Sequence, residues 1–202
     1  MRNQTACPPK CKDRVLDALE RAYVSPSNVL EIGCCTGSRL DTLSNLTGCK
    51  CHGIDPSAKA IKDGSQQYPG LRLQTGTADR LPFPDDSFDL IIFGFCLYVC
   101  DRHDLFKIAA EADRCLRDGG KLVIYDFYTP FPYRNTYAHN TTMHSYKMDY
   151  SKMFLWNPAY HQIHNEVTTH AGADQRCLPD ERIAVTILEK NQKLAYILDP
   201  HK

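Results

Sequence analysis

Glu31, Gly33, Cys35 and Gly37 fall together in "VLEIGCCTG" (29–37), where an apolar run gives way to polar residues. Glycines in a strand-to-helix loop let the backbone come close to a ligand, and the first N–H groups of the helix are free to meet an anion. Asp55 follows 22 residues after Gly33, at the distance where a carboxylate can accept from both hydroxyls of a ribose. Pro56 follows it directly. Asp79, beside Ala78 in "GTADRLPFPDDS", is placed to meet the exocyclic amine of an adenine. Together these loops describe an adenosine site with an anionic tail. A nicotinamide dinucleotide fits less well, because its fingerprint needs G-x-G-x-x-G and the loop offers G-x-x-x-G. Glu31 would also crowd a pyrophosphate, whereas an acid there suits a ligand carrying an ammonium or sulfonium.

These residues need a frame that brings loops to one edge. Strands are expected at 28–33, 50–55, 71–75, 88–95 and 121–127, with helices at about 13–23, 38–46 and from 58 through Ile61 and Lys62. A further helix starts near Asp101, with Asp104 three residues on, and stops at "RDGG" (117–120). Apolar strands alternating with amphipathic helices give an α/β fold: a Rossmann-like, doubly wound, mostly parallel sheet. Residues 157 to about 170 read as a helix opened by Asn157-Pro158. Residues 182–198 read as a closing antiparallel hairpin turning at Asn191-Gln192. The expected organisation is one domain: an N-terminal helix region (1–27), a cofactor-binding core (28–127), an aromatic acceptor lid (128–175) and the hairpin.

The chain has 202 residues, with 24 Lys plus Arg against 24 Asp plus Glu. That balance gives no electrostatic footprint for nucleic acid or anionic lipid. The start lacks the apolar core of a signal peptide, and the longest apolar run, "LIIFGFCLYVC" (90–100), is too short to span a bilayer. A cytoplasmic protein with free thiols is expected. Cys7/Cys11, Cys49/Cys51, Cys96/Cys100 and His161/His164 invite a metal reading, but two pairs would have to converge, and no metal is expected.

The sequence resembles the class I S-adenosylmethionine-dependent methyltransferases, in particular the small-molecule branch that holds the ubiquinone and menaquinone enzymes. "VLEIGCCTG", "GIDPS", "TADRLPFPDDSFDLIIFGFCLY" and "EADRCLRDGGKLVIYDF" carry the likeness in order across residues 28–127. The resemblance implies S-adenosyl-L-methionine as cofactor. It implies that Glu31, Gly33, Cys35 and Gly37 meet the methionine end, Asp55 the ribose, Ala78 and Asp79 the adenine, and that Phe95 lies near the transferred methyl. Cys35 replaces the middle glycine of the family loop, and its small side chain is expected to turn aside. Tyr98-Val99 stands where many quinone enzymes have a histidine pair, which argues against a quinone acceptor.

The acceptor is expected to be a small molecule. Eleven of the twenty aromatic residues lie between 125 and 160, in a segment that must pass the ligand end of the sheet. His139, His144 and Tyr128 are the candidates for a general base, if the acceptor needs one. A non-catalytic cofactor-binding subunit and, more distantly, a nicotinamide-dependent oxidoreductase are the alternatives. The sequence does not indicate an oligomeric state.

Overall fold

In a computed structural model, residues 13–137, 140–169 and 178–196 are described. Asp13 opens helix α1 (Arg14–Arg21), its carboxylate accepting the N–H groups of Val15 and Leu16 at 2.9 and 3.2 Å. The alternating core then runs β1 (Asn28–Ile32), α2 (Ser38–Thr47), β2 (Lys50–Asp55), α3 (Ala58–Gln67), β3 (Arg72–Thr75), β4 (Phe88–Gly94), α4 (Leu105–Cys115) and β5 (Leu116–Phe127). It continues with a β6 (Tyr133–Tyr137) and β7 (Asn140–Lys147) hairpin, a short α5 (Lys152–Leu155), β8 (Tyr160–Thr169) and β9 (Arg182–Lys190).

Seven strands form one sheet in the order β3-β2-β1-β4-β5-β9-β8, and β6 and β7 pair separately. The first five strands are parallel. β9 runs antiparallel to both β5 and β8, so β8 points the same way as the first five. Strand order reverses at β1, where β2 and β3 lie to one side and β4 to the other. A crevice opens at such a point beyond the carboxyl ends of the strands.

Side chains of β4 alternate between two buried layers. Leu90 and Ile92 pack with Val15 and Leu19 of α1 and Leu40 and Leu43 of α2. Ile91 and Phe93 pack on the other face with Ile108 and Ala112 of α4. Burial on both faces explains why this strand is apolar from Leu90 to Phe93. Each fully buried aliphatic side chain contributes about 1.5–3 kcal/mol, which holds the strand ends in fixed register.

Three expectations need correction. Residues 160–169 are strand β8 rather than a helix. Asn157-Pro158 makes a turn instead: the Asn157 side chain accepts the Ala159 N–H at 3.0 Å and its carbonyl accepts the Tyr160 N–H at 3.0 Å. The β-branched Val167, Thr168 and Thr169 pair along β9, with a bulge at Ile163 between Gln162 and His164. The hairpin expected within 182–198 is replaced by β9 alone, since Gln192–Leu194 is a 3-10 turn anchored by the Gln192 N–H on Asp118 at 2.8 Å. The antiparallel partners of β9 are β8 and β5. Finally, Asp101 caps a 3-10 turn, Arg102–Asp104, and α4 itself begins at Leu105. No helix among the described residues is long and apolar enough to cross a membrane.

Candidate functional site

The loop after β1 is drawn tight by β2. The N–H groups of Gly33 and Cys34 both donate to the Ile54 carbonyl, at 2.8 and 3.2 Å, and Gly37 N–H donates to the Cys34 carbonyl at 2.8 Å. Gly33, Cys35 and Gly37 all take positive φ, of 76°, 51° and 83°. A Cβ on Gly33 would lie 2.6 Å from the Cys96 Cβ, so glycine is needed there for close approach as well as for conformation. No side chain caps α2, which leaves its first N–H groups open. Cys35 is exposed, and its N–H donates to Asp55 Oδ2 at 2.9 Å. Asp55 Oδ1 accepts the Ser57 N–H at 2.9 Å. Each oxygen keeps a lone pair for a further donor.

Beside this carboxylate lies a cavity of about 300 Å³, whose walls include Gly33, Pro56, Ala78, Asp79 and Cys96. Four residues named from the sequence, Gly33, Pro56, Ala78 and Asp79, therefore face one space. Glu31, Cys35, Gly37, Asp55 and Phe95 do not line it. Met143 of β7 also reaches the cavity, a contribution from the aromatic segment with no signal in the sequence. A larger hollow, about 880 Å³, lies between α1 and α2. It is away from the carboxyl ends of β2 and β3, so the smaller cavity is the better ligand site.

Glu31 is 2% exposed and is held by Arg39, while its Oε2 has no hydrogen-bond partner. Burial pushes its pKa up, and the Arg39 guanidinium opposes that shift. Arg39 in turn donates through Nε to both oxygens of Asp13, at 3.0 and 2.8 Å, and lies 5.5 Å from the Tyr125 ring centre. Asp13 and Arg39 are 26 residues apart, a pairing that only the fold creates.

Past β4, Phe95 has φ 63° and its N–H donates to the Tyr125 carbonyl at 2.8 Å. Its ring sits 5.1 Å from Tyr98, 5.1 Å from Tyr125 and 5.2 Å from Phe127. Tyr98 also meets Tyr137 of β6 edge-on at 6.0 Å. This aromatic platform caps the ends of β4 and β5. Beneath it, buried Asp126 accepts the N–H groups of Leu97, Tyr98 and Phe127 at 2.8, 3.4 and 2.7 Å.

Burial outweighs those donors and raises the Asp126 pKa to about 7. Below pH 4 the carboxyl is protonated in the folded and unfolded chains alike. As pH rises towards 7 the unfolded chain loses this proton first, so the folded state loses stability across that window, on the order of 4 kcal/mol. Asp126→Asn loses one acceptor at every pH but has no proton to lose. The melting temperature of wild type minus that of Asp126→Asn should fall steadily between pH 4 and 7. A constant difference would show that Asp126 does not titrate there.

Residues 30–124 match a family described as a methyltransferase domain. Over this segment, just under half of the chain, the protein is similar to that family. It is 35% identical over 108 residues to an uncharacterized methyltransferase, YcgJ, of Bacillus subtilis, covering 50% of this chain and 41% of that protein. It is 33% identical over 113 residues to a demethylmenaquinone methyltransferase of Lysinibacillus sphaericus, covering 53% and 47%. The matched segment thus spans under half of either relative. A 1,6-didemethyltoxoflavin-N1-methyltransferase of Burkholderia thailandensis, solved with that compound and S-adenosylhomocysteine, superposes with a TM-score of 0.68. It covers 88% of this chain and 76% of that one at 15% identity, a likeness of fold.

The residues of the site fit S-adenosylmethionine as cofactor. The orphaned buried Oε2 of Glu31 lacks the cationic donor that an amino-acid ammonium would supply. Gly33 clears the backbone, and Asp55 and Asp79 flank the cavity. The candidate bases are scattered. Tyr128 is half-buried, with its N–H on the Arg182 carbonyl at 2.8 Å. His144 is exposed, its ring 6.2 Å from Tyr146. It neighbours Met143 on the strand, so the two point to opposite faces. His139 lies outside the described residues, as do Cys7 and Cys11. Among the described residues no three His, Cys, Asp or Glu groups converge to hold a metal. Cys49 and Cys51 are buried with sulfurs 3.4 Å apart, and His161 and His164 lie along β8.

Proposed function

We propose that this chain transfers a methyl group from S-adenosylmethionine to a small-molecule acceptor. The observation that carries the reading is the placement of Asp55 and Asp79 beside one cavity at the point of strand reversal, next to a glycine loop with an uncapped helix behind it. The cofactor, when bound, supplies a methyl group already activated on sulfur. The chain's part is to bind, align and exclude water. Asp55 would take the ribose, Ala78 and Asp79 the adenine, and Glu31, Gly33, Cys35 and Gly37 the amino-acid end. Phe95 and its ring neighbours would border the methyl and offer flat surfaces to the acceptor. The toxoflavin enzyme of the same fold acts on a small heterocycle, and the menaquinone relatives also act on small molecules, which supports an acceptor of that size.

If the acceptor is a hydroxyl or a protonated nitrogen, one group must remove its proton, and Tyr128, His139 and His144 remain the candidates. The test is incubation with methyl-labelled S-adenosylmethionine and a small-molecule extract. Label should enter a small molecule with the wild type and not with Asp55→Ala. Alanine at the true base should slow transfer by about 10²–10⁴-fold with unchanged affinity for S-adenosylhomocysteine. Cofactor binding with no transfer to any fraction would favour a non-catalytic binding subunit.

A further inference from the structure

Glu31 is an unusual acid for its surroundings. One oxygen is held by Arg39 and the other has no partner, in a site where only 2% of the side chain is exposed. A buried carboxylate with no cation beside it takes up a proton instead of staying charged. The ionisable groups around it do not help. Asp13, ahead of α1, and Asp55, at the end of β2, both disfavour its negative charge. The thiols of Cys34, Cys51 and Cys96 stay neutral, their pKa values raised chiefly by burial for Cys34 and, for the other two, by the hydrogen bonds they donate to Cys49 and Cys100. Arg39 is the cation that acts on Glu31, and its own side chain is only 17% exposed.

Arg39 cannot easily leave. Both oxygens of Asp13 hold its Nε, and the Tyr125 ring lies under its guanidinium. Three elements therefore converge on one guanidinium, whose Nη1 bonds Oε1 of Glu31 while no donor reaches Oε2.

We propose that Arg39 is a positioning residue for cofactor binding, keeping Glu31 an anion and turning its unbonded oxygen towards the ammonium of the cofactor's amino-acid end. The start of α1, through Asp13, is then part of the cofactor site. This rests on the assignment of Glu31 to the amino-acid end of S-adenosylmethionine.

The test is the affinity for S-adenosylhomocysteine between pH 6 and 8.5, by calorimetry in two buffers of different ionisation heat. The wild type should bind with little pH dependence and little proton exchange. Arg39→Met should bind at least tenfold more weakly at pH 7, should recover as pH rises, and should release a proton on binding. Arg39→Lys should restore most of the affinity. In a Glu31→Gln background, which has no charge to protect, Arg39→Met should change affinity less than twofold. That doubly neutral protein carries no uncompensated buried charge, so it keeps the test alive if Arg39→Met alone does not fold. A pH-independent loss that persists in the Glu31→Gln background would make Arg39 merely structural and overturn the proposal. Wild-type binding matched by Arg39→Met would do the same. A wild type that binds at no pH would instead overturn the cofactor assignment beneath it.

Discussion

Asp55→Ala should weaken S-adenosylhomocysteine binding by about ten- to a hundredfold or more while the chain stays folded. Hydrogen bonds to a charged group contribute roughly 1.5–3 kcal/mol each, and a carboxylate that takes both ribose hydroxyls makes two of them. At 1.4 kcal/mol per tenfold, loss of either bond alone accounts for the lower bound. A second effect adds to this. Asp55 already accepts the Cys35 and Ser57 N–H groups at 2.9 Å, so its removal also frees the glycine loop that should meet the rest of the ligand. Asp55→Asn retains one acceptor oxygen and should fall between wild type and alanine. Unchanged affinity in a folded Asp55→Ala protein would remove Asp55 from the site.

Gly33→Ala should lose binding more completely, and for a reason of space. The added Cβ would meet the Cys96 Cβ at 2.6 Å, and the φ of 76° already disfavours any side chain. Backbone on both sides is fixed, by the hydrogen bonds of Gly33 and Cys34 to Ile54 and by the run of β4 into Phe95. The loop must therefore shift, and a loss of stability of roughly 1–3 kcal/mol is expected with it. Cys96→Gly removes the opposing Cβ. Combined with Gly33→Ala it should recover part of the affinity measured by titration, leaving only the cost of the left-handed backbone. No recovery, with the double variant still folded, would mean that the contact with Cys96 is not what demands glycine at position 33.

The glycine loop, Asp55 and the first four strands were legible in the sequence because they rest on local signals. An apolar run, a turn residue and an acid at a strand end each announce themselves within a few positions. Cys35 is exposed, and its N–H ties the loop to Asp55. What could not be read depends on neighbours far along the chain. Arg39 looks like a surface residue of an amphipathic helix until α1 brings Asp13 to it. Met143 reaches the cavity only because the β6–β7 hairpin folds back over the sheet. His161 and His164 have helical spacing, yet pairing with β9 makes their segment a strand, and tertiary pairing outweighs local pattern there. The second strand of the supposed closing hairpin failed for the same reason, since β9 already has a partner on each side.

The most direct measurement is calorimetric titration of the wild-type chain with S-adenosylhomocysteine and, separately, with NAD. A site built from an uncapped helix, an orphaned Glu31 oxygen and the acids Asp55 and Asp79 should take one S-adenosylhomocysteine per chain and give no saturable heat with NAD. Saturable binding of NAD, or no binding of S-adenosylhomocysteine by a folded chain, would contradict the methyltransferase assignment of this site.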